Sequence, residues 1–536
     1  MTALSRVLAQ RAGITPARCR VQVLKDQVVP VAEGISLLCD VHLPRNRTEK
    51  TPVLLVRSPY GRRGKWGFMY GTLLAERGVI SVVQSTRGGY GSGGRLEPMV
   101  HDYADGHATV SWLRTQPWWT GRLILAGASY QAWCAWSIAQ DPPAELVGLI
   151  SHVGPHQWRD VHRPGGSLAI ETLLAWTADQ LGPERPDGLI ASARRSSKSR
   201  EIDLAALLAP LPLRASVDRL LGGQAPSWFH DWLDHPPTSE YWDSYDATAA
   251  LEKVDVPVLI MAGWDDLFVE QAWHQARRLD SRGVPVHLVV GPWTHRGLQA
   301  AWPEVIDRTV RWLDDLDTRE HSSAELFTTR STNGGSWRSG PIAEPTRYAT
   351  WVLSGDALQP DTVPAAAATR RTWVYNPTDP TPQVGGATMT NGAGRRDQAQ
   401  VEKRSDVLTF TSPPLTAPVD VLGAGSVTLD LELIASPVDI VVRVCDVDEE
   451  GVSTLLTDTI SHADSAESAV RTLQLPPLGH VFEKGHRIRL HVAGGGFPRW
   501  ARPIDPDGGT ERAAPTTQVL RSAPASPSAL VLPVRS

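Results

Sequence analysis

Four cysteines are few for 536 residues, and Cys19, Cys39, Cys134 and Cys445 show neither C-x-x-C spacing nor the density of a disulfide scaffold. They read as free thiols. No run of about eighteen apolar residues occurs, and the first twenty residues spread their arginines without an apolar h-region. The expectation is a soluble, cytoplasmic protein with no membrane partner.

A basic surplus is also missing. The net charge is −5, and the basic residues Arg194, Arg195, Lys198 and Arg200 stand as an isolated run that reads as a solvated loop, so nucleic acid is not an expected partner. No internal repeat is present. His230 and His235 stand five apart and do not share a helix face well, so no metal site is expected there. The glycine-rich residues 88–94 lack the Gly-Lys-Ser/Thr ending of a phosphate-binding loop and read as a structural loop. No metal or organic cofactor is implied.

The length exceeds what one hydrophobic core usually supports, so two or three domains are expected; 41% hydrophobic and 21% charged residues are ordinary for a globular chain. Short Val-, Leu- and Ile-rich runs at 19–24, 35–42, 52–56, 79–84, 123–126 and 147–153 alternate in part with helical stretches at 71–77 and 101–115. The same β pattern resumes at 257–262 and 284–290. This alternation predicts an α/β domain with a mostly parallel sheet. Between 154 and 244 apolar residues recur at helical spacing, which predicts a helical insertion. Beyond about residue 319 alternating segments separated by turns predict an all-β domain.

Residues 122–131 carry the first chemical signal: an apolar strand, a tight turn with Ser129, then a helix from Tyr130 to Gln140. A serine on a sharp strand-to-helix corner exposes its hydroxyl above the sheet, with backbone N–H groups of the helix N-terminus beside it. Gly127 leaves room at the turn. The second glycine of G-x-S-x-G is missing, because Gln131 stands there. The motif is therefore incomplete, and Ser129 needs partners. Strand 257–262 runs into Asp265 and Asp266, and strand 284–290 runs into His295. Serine, acid and histidine thus follow in the chain order of an α/β-hydrolase triad, each just past a buried strand.

With these residues in place the chain resembles the serine hydrolases that include cocaine esterase, α-amino acid ester hydrolases and X-prolyl dipeptidyl peptidase. The resemblance runs nearly end to end. It rests on Arg57-Ser58-Pro59-Tyr60, Ser85-Thr86-Arg87-Gly88, Gly127-Ala128-Ser129-Tyr130, Gly263-Trp264-Asp265-Asp266 and Gly291-Pro292-Trp293-Thr294-His295, with Tyr375-Asn376-Pro377 and Gly485-His486-Arg487 further on. It implies an α/β-hydrolase core (1–153 and 245–318), an inserted helical cap (154–244) and a C-terminal β jelly-roll domain (319–536). It also implies Ser129 as nucleophile, His295 as general base and Asp266 as the orienting acid, with Asp265 as rival. Tyr60 and the backbone N–H of Tyr130 would form the oxyanion hole. Ser85 stands where the family has an aspartate, which is expected to loosen the support of Arg87.

Trp176 and Phe268 match aromatic positions of the family's acyl pocket, while Val161 stands where a tryptophan is expected and implies a wider pocket. Leu267, Phe268 and Val269 follow Asp266, which counts against an amino-acyl substrate, although Glu270 or Glu171 is available as an anchor. A small-molecule carboxylic ester is the expected substrate, with an amide as the second choice. X-prolyl dipeptidyl peptidase activity and an acyltransferase or lactone-forming reaction stay open, and a non-catalytic binding protein stands last. The jelly roll is expected to wall the site and support oligomerisation, with a homodimer as the assembly to test.

Overall fold

The computed structural model describes residues 13–181, 203–299, 301–316, 327–341, 347–362, 368–390 and 392–535, together with Ser5, Val7 and Gln10. The basic run at 194–200 and the expected domain boundary at 318 lie outside the described residues.

The larger apolar runs become strands of one ten-stranded sheet. These are β1 (Val21–Pro30), β2 (Ser36–Pro44), β3 (Val53–Ser58), β4 (Ile80–Ser85), β5 (Leu123–Ala128), β6 (Leu146–His152), β7 (Val258–Asp265), β8 (Val286–Thr294), β9 (Phe327–Ser331) and β10 (Gly334–Gly340). Their spatial order is β1-β2-β4-β3-β5-β6-β7-β8-β9-β10. The pairs from β4 to β9 are parallel, whereas β1, β2 and β10 join antiparallel.

Parallel strands need crossovers, and helices supply them on both faces. They are α1 (Asp102–Leu113), α2 (Tyr130–Ile138), α3 (Ile170–Leu181), α4 (Val269–Ser281) and α5 (Trp302–Asp315), of which α3 belongs to the insertion between β6 and β7. Along β3 the side chains alternate: Val53 and Leu55 join a core with α1, α2 and α4, while Leu54 and Val56 join a second core with α5. Each fully buried Val or Leu contributes roughly 1.5–3 kcal/mol. That double burial is why these strands read as continuous apolar runs.

The sheet runs on past the boundary expected after residue 318. Phe327, at the start of β9, is buried and meets Trp273 of α4 edge-on at 5.5 Å between ring centroids, and β9 pairs in parallel with β8. The change of sheet comes after β10. From Tyr348–Ser354 to Ala529–Pro533 the chain forms an eleven-stranded sheet and a two-stranded one around a separate core that includes Trp373, Leu429, Val442 and Leu490. Ser426–Leu433 alternates buried and half-buried positions along its whole length, as a strand with one face on a core must.

The insertion is helical among its described residues, and its aromatic side chains Trp228, Phe229 and Trp232 are buried. All four cysteines are unpaired. No helix among the described residues is long and apolar enough to cross a membrane.

Candidate active site

Ser129 sits between the end of β5 and the start of α2 with φ 59° and ψ −127°. For a residue with a side chain that backbone costs about 1–3 kcal/mol and persists only where neighbours enforce it. Its N–H donates to the carbonyl of His152 at 2.9 Å, which fixes the corner to the end of β6. Gly127 is required by contact: a Cβ there would lie 2.2 Å from the carbonyl carbon of Gln131. Gln131 replaces the absent glycine with polar ties, donating to Ser58 Oγ at 2.9 Å and accepting the Ala128 N–H at 3.3 Å. Tyr130 opens α2, where backbone N–H groups have no intrahelical acceptor.

Two further strand ends converge on this hydroxyl. His295, just past β8, places Nε2 3.1 Å from Ser129 Oγ and Nδ1 2.7 Å from Asp266 Oδ2. The other oxygen of Asp266 accepts the Phe268 N–H at 2.7 Å, so both carboxylate oxygens are held. With Nδ1–H donated to Asp266, Nε2 is left to accept from the serine hydroxyl. Asp266 and His295 are 1% and 4% exposed, and Phe268 stands edge-on to the imidazole at 5.2 Å. Asp265 faces another way and meets Arg395 Nε at 3.4 Å. Burial pushes the Asp265 carboxyl up, and Arg395 opposes that shift.

Tyr60 follows the end of β3. Its phenolic oxygen accepts Trp176 Nε1–H at 3.3 Å. Burial pushes the phenol up to about 12, and hydrogen bonds with Ser129 and Trp176 restrain the rise. The Tyr130 ring lies flat on that of Trp176, 5.6 Å between centroids and 9° from parallel. Its own hydroxyl donates to Asp102 Oδ2 and accepts the Met99 N–H, both at 2.6 Å.

A pocket of about 370 Å³ opens beside Ser129 and His295, lined by Trp158, Val161, Trp176, Trp232, Phe268 and Met389 among others. Among its described lining residues there is no carboxylate. Val161, Trp176 and Phe268 all lie on its wall. The widening expected from Val161 is opposed by Trp158, three residues earlier, which brings an indole to the same wall. Trp158, Trp232 and Met389 escaped the sequence reading. Trp158 had a visible signal in its spacing from Val161, whereas Met389 comes from the C-terminal domain and had none.

A second pocket of about 870 Å³ shares Val161, Thr172 and Leu267 with the first and carries Asp160 and Glu270. Protein walls and the charge of Asp160 push the Glu270 carboxyl up, although it stays open to solvent. Glu171 faces neither pocket. It is buried, accepts the Met389 N–H at 3.2 Å and ties α3 to the C-terminal domain. Arg87 is not loosened by Ser85: it binds Asp105 through two nitrogens at 3.0 and 2.7 Å and Glu33 at 2.9 Å. His230 pairs with Asp218 and His235 with Ser239. Glu402, Cys445 and His491 bring ligand atoms within 4.8 Å of one another, yet Glu402 already accepts from Arg489 and from His491 at 2.9 Å. Arg489 already supplies a positive charge to that carboxylate.

The sheet order and this convergence of strand ends are those of a serine hydrolase. Residues 33–297 match the X-Pro dipeptidyl-peptidase (S15 family), and residues 322–531 match the X-Pro dipeptidyl-peptidase C-terminal non-catalytic domain. The chain is 28% identical to the cocaine esterase of Rhodococcus sp. (strain MB1 Bresler), over 96% of this chain and 98% of that one. It belongs to the family of serine α/β-hydrolases that joins these proteins. Its fold is shared by an aminopeptidase from a marine sediment Thaumarchaeota archaeon (TM-score 0.79, 20% identity, 97% of each chain). An α-amino acid ester hydrolase has it too (TM-score 0.78, 20% identity, 96% of this chain and 97% of that one).

Proposed function

We propose that the protein hydrolyses carboxylic esters of small molecules by acyl transfer through Ser129, with amides as a second substrate class. The observation that carries this reading is the hydrogen-bonded series Ser129, His295, Asp266, with heavy-atom separations of 3.1 and 2.7 Å. His295 Nε2 takes the hydroxyl proton as Oγ attacks the carbonyl carbon. Asp266 holds the ring and the positive charge that forms on it. The oxyanion is held by the Tyr60 hydroxyl and the Tyr130 N–H. Collapse of the tetrahedral intermediate expels the alcohol, which leaves with the proton from His295. Water then attacks the acyl-enzyme and hands its own proton to the same nitrogen, releasing the acid and restoring Ser129.

The apolar lining of the pocket supports an uncharged, bulky acyl group. An X-prolyl dipeptidyl peptidase needs an acidic anchor for a free N-terminus. Glu270 in the second pocket is what favours keeping that reading, whereas Glu171 is buried and lines neither pocket.

The test is hydrolysis of nitrophenyl esters from acetyl to benzoyl by the parent protein beside Ser129→Ala. The expected result is a preference for the bulkier acyl groups and a loss of roughly 10⁴-fold or more in the variant. Cleavage undiminished by the substitution would remove Ser129 from the reaction.

A further inference from the structure

We infer that Trp176 is a positioning residue for the oxyanion site, tying both of its donors to the cap. The inference rests on the reading of Tyr60 and the Tyr130 N–H as those donors.

A phenol carries one proton and two acceptor positions. By donating Nε1–H to the Tyr60 oxygen at 3.3 Å, Trp176 occupies one acceptor position and leaves the phenolic O–H to be given elsewhere. Ser129 is a hydrogen-bond partner of the same phenol. A phenol that accepts a hydrogen bond also becomes a stronger donor, because the two bonds polarise each other. Tyr60 is held from a further direction by the ring of Trp66, stacked at 5.6 Å and 27°.

The same indole lies flat on Tyr130, whose backbone N–H is the second donor and whose hydroxyl is fixed by Asp102 and Met99. One side chain thus touches the residues that supply both halves of the oxyanion site. Trp176 is carried by α3 in the cap and is itself packed against Trp228 and Trp232, each 6.1 Å away between ring centroids. The cap therefore does more than bound the acyl pocket: its seating sets the geometry of charge stabilisation at the oxyanion beside Ser129.

Kinetics of Trp176→Phe on nitrophenyl acetate and nitrophenyl benzoate separate this role from that of a pocket wall. The oxyanion is common to both esters, while the pocket is filled by benzoyl and not by acetyl. The expected result is a roughly three- to tenfold fall in kcat on both, the worth of one neutral hydrogen bond. A loss confined to benzoate, with acetate turnover unchanged, would overturn the inference. Trp176→Phe added to Tyr60→Phe should cost little further, because the acceptor is already gone, and a full multiplicative loss would also overturn it. Replacing the indole by the isosteric benzothiophene, with sulfur for N–H, keeps the packing and repeats the comparison if phenylalanine disturbs the cap. Undiminished turnover in Tyr60→Phe alone would remove the donor reading itself, whatever Trp176 does.

Discussion

Asp265 ends β7 and Asp266 is the first residue beyond it, and the two side chains take different partners. Asp266 reaches His295 Nδ1 at 2.7 Å, and Asp265 reaches Arg395 of the C-terminal domain at 3.4 Å. Spacing alone leaves both as acids, because it does not give the direction a side chain takes at a strand end, and it is the family resemblance that prefers Asp266 over its rival. Asp266→Asn is expected to lower kcat about 10⁴-fold by favouring the wrong imidazole tautomer, while Asp265→Asn keeps kcat close to that of the parent. Steady-state kinetics of the two variants checks the assignment, and equal losses would contradict it.

At the scale of the element, the corner between β5 and α2 shows what a local pattern carries. Gly127 was legible because its neighbours demand it: any Cβ would overlap the backbone of Gln131. The missing second glycine made the motif incomplete, yet the turn forms, since Gln131 braces it through Ser58 and Ala128. The brace to Ser58 joins residues 73 positions apart, so no window of sequence displays it. The pocket was read less well for a similar reason. Val161 was placed on its wall, but the indole of Trp158 beside it and Met389 opposite depend on how the cap and the C-terminal domain close over the sheet. Period-2 and period-3.6 patterns give elements, and the wall of a pocket is made where elements from distant parts of the chain meet.

At the scale of the whole molecule, the alternation of strands and helices gave the sheet, and the reach of β9 and β10 beyond residue 318 was hidden because an added edge strand has the same composition as a strand of the next domain. Burial on both sides of that sheet and in the cap also sets a pH limit. Burial drives His152, His156 and His162 from an ordinary 6.5 down to about 3. Between those values the unfolded chain binds protons at these sites and the folded chain does not. The stability they contribute is complete above about pH 6.5 and is lost as pH falls toward 3, by up to about 1.4 kcal/mol per pH unit for each histidine. Thermal unfolding followed from pH 7.5 to pH 4 should show a falling midpoint, and a midpoint that rises on acidification would contradict this. Whether three strand ends and the cap assemble a reactive serine is read out by fluorophosphonate labelling followed by peptide mass analysis. A single adduct is expected on the peptide that holds Ser129, formed far more slowly in His295→Ala. Absence of an adduct from the folded parent protein, or an adduct on another serine, would contradict it.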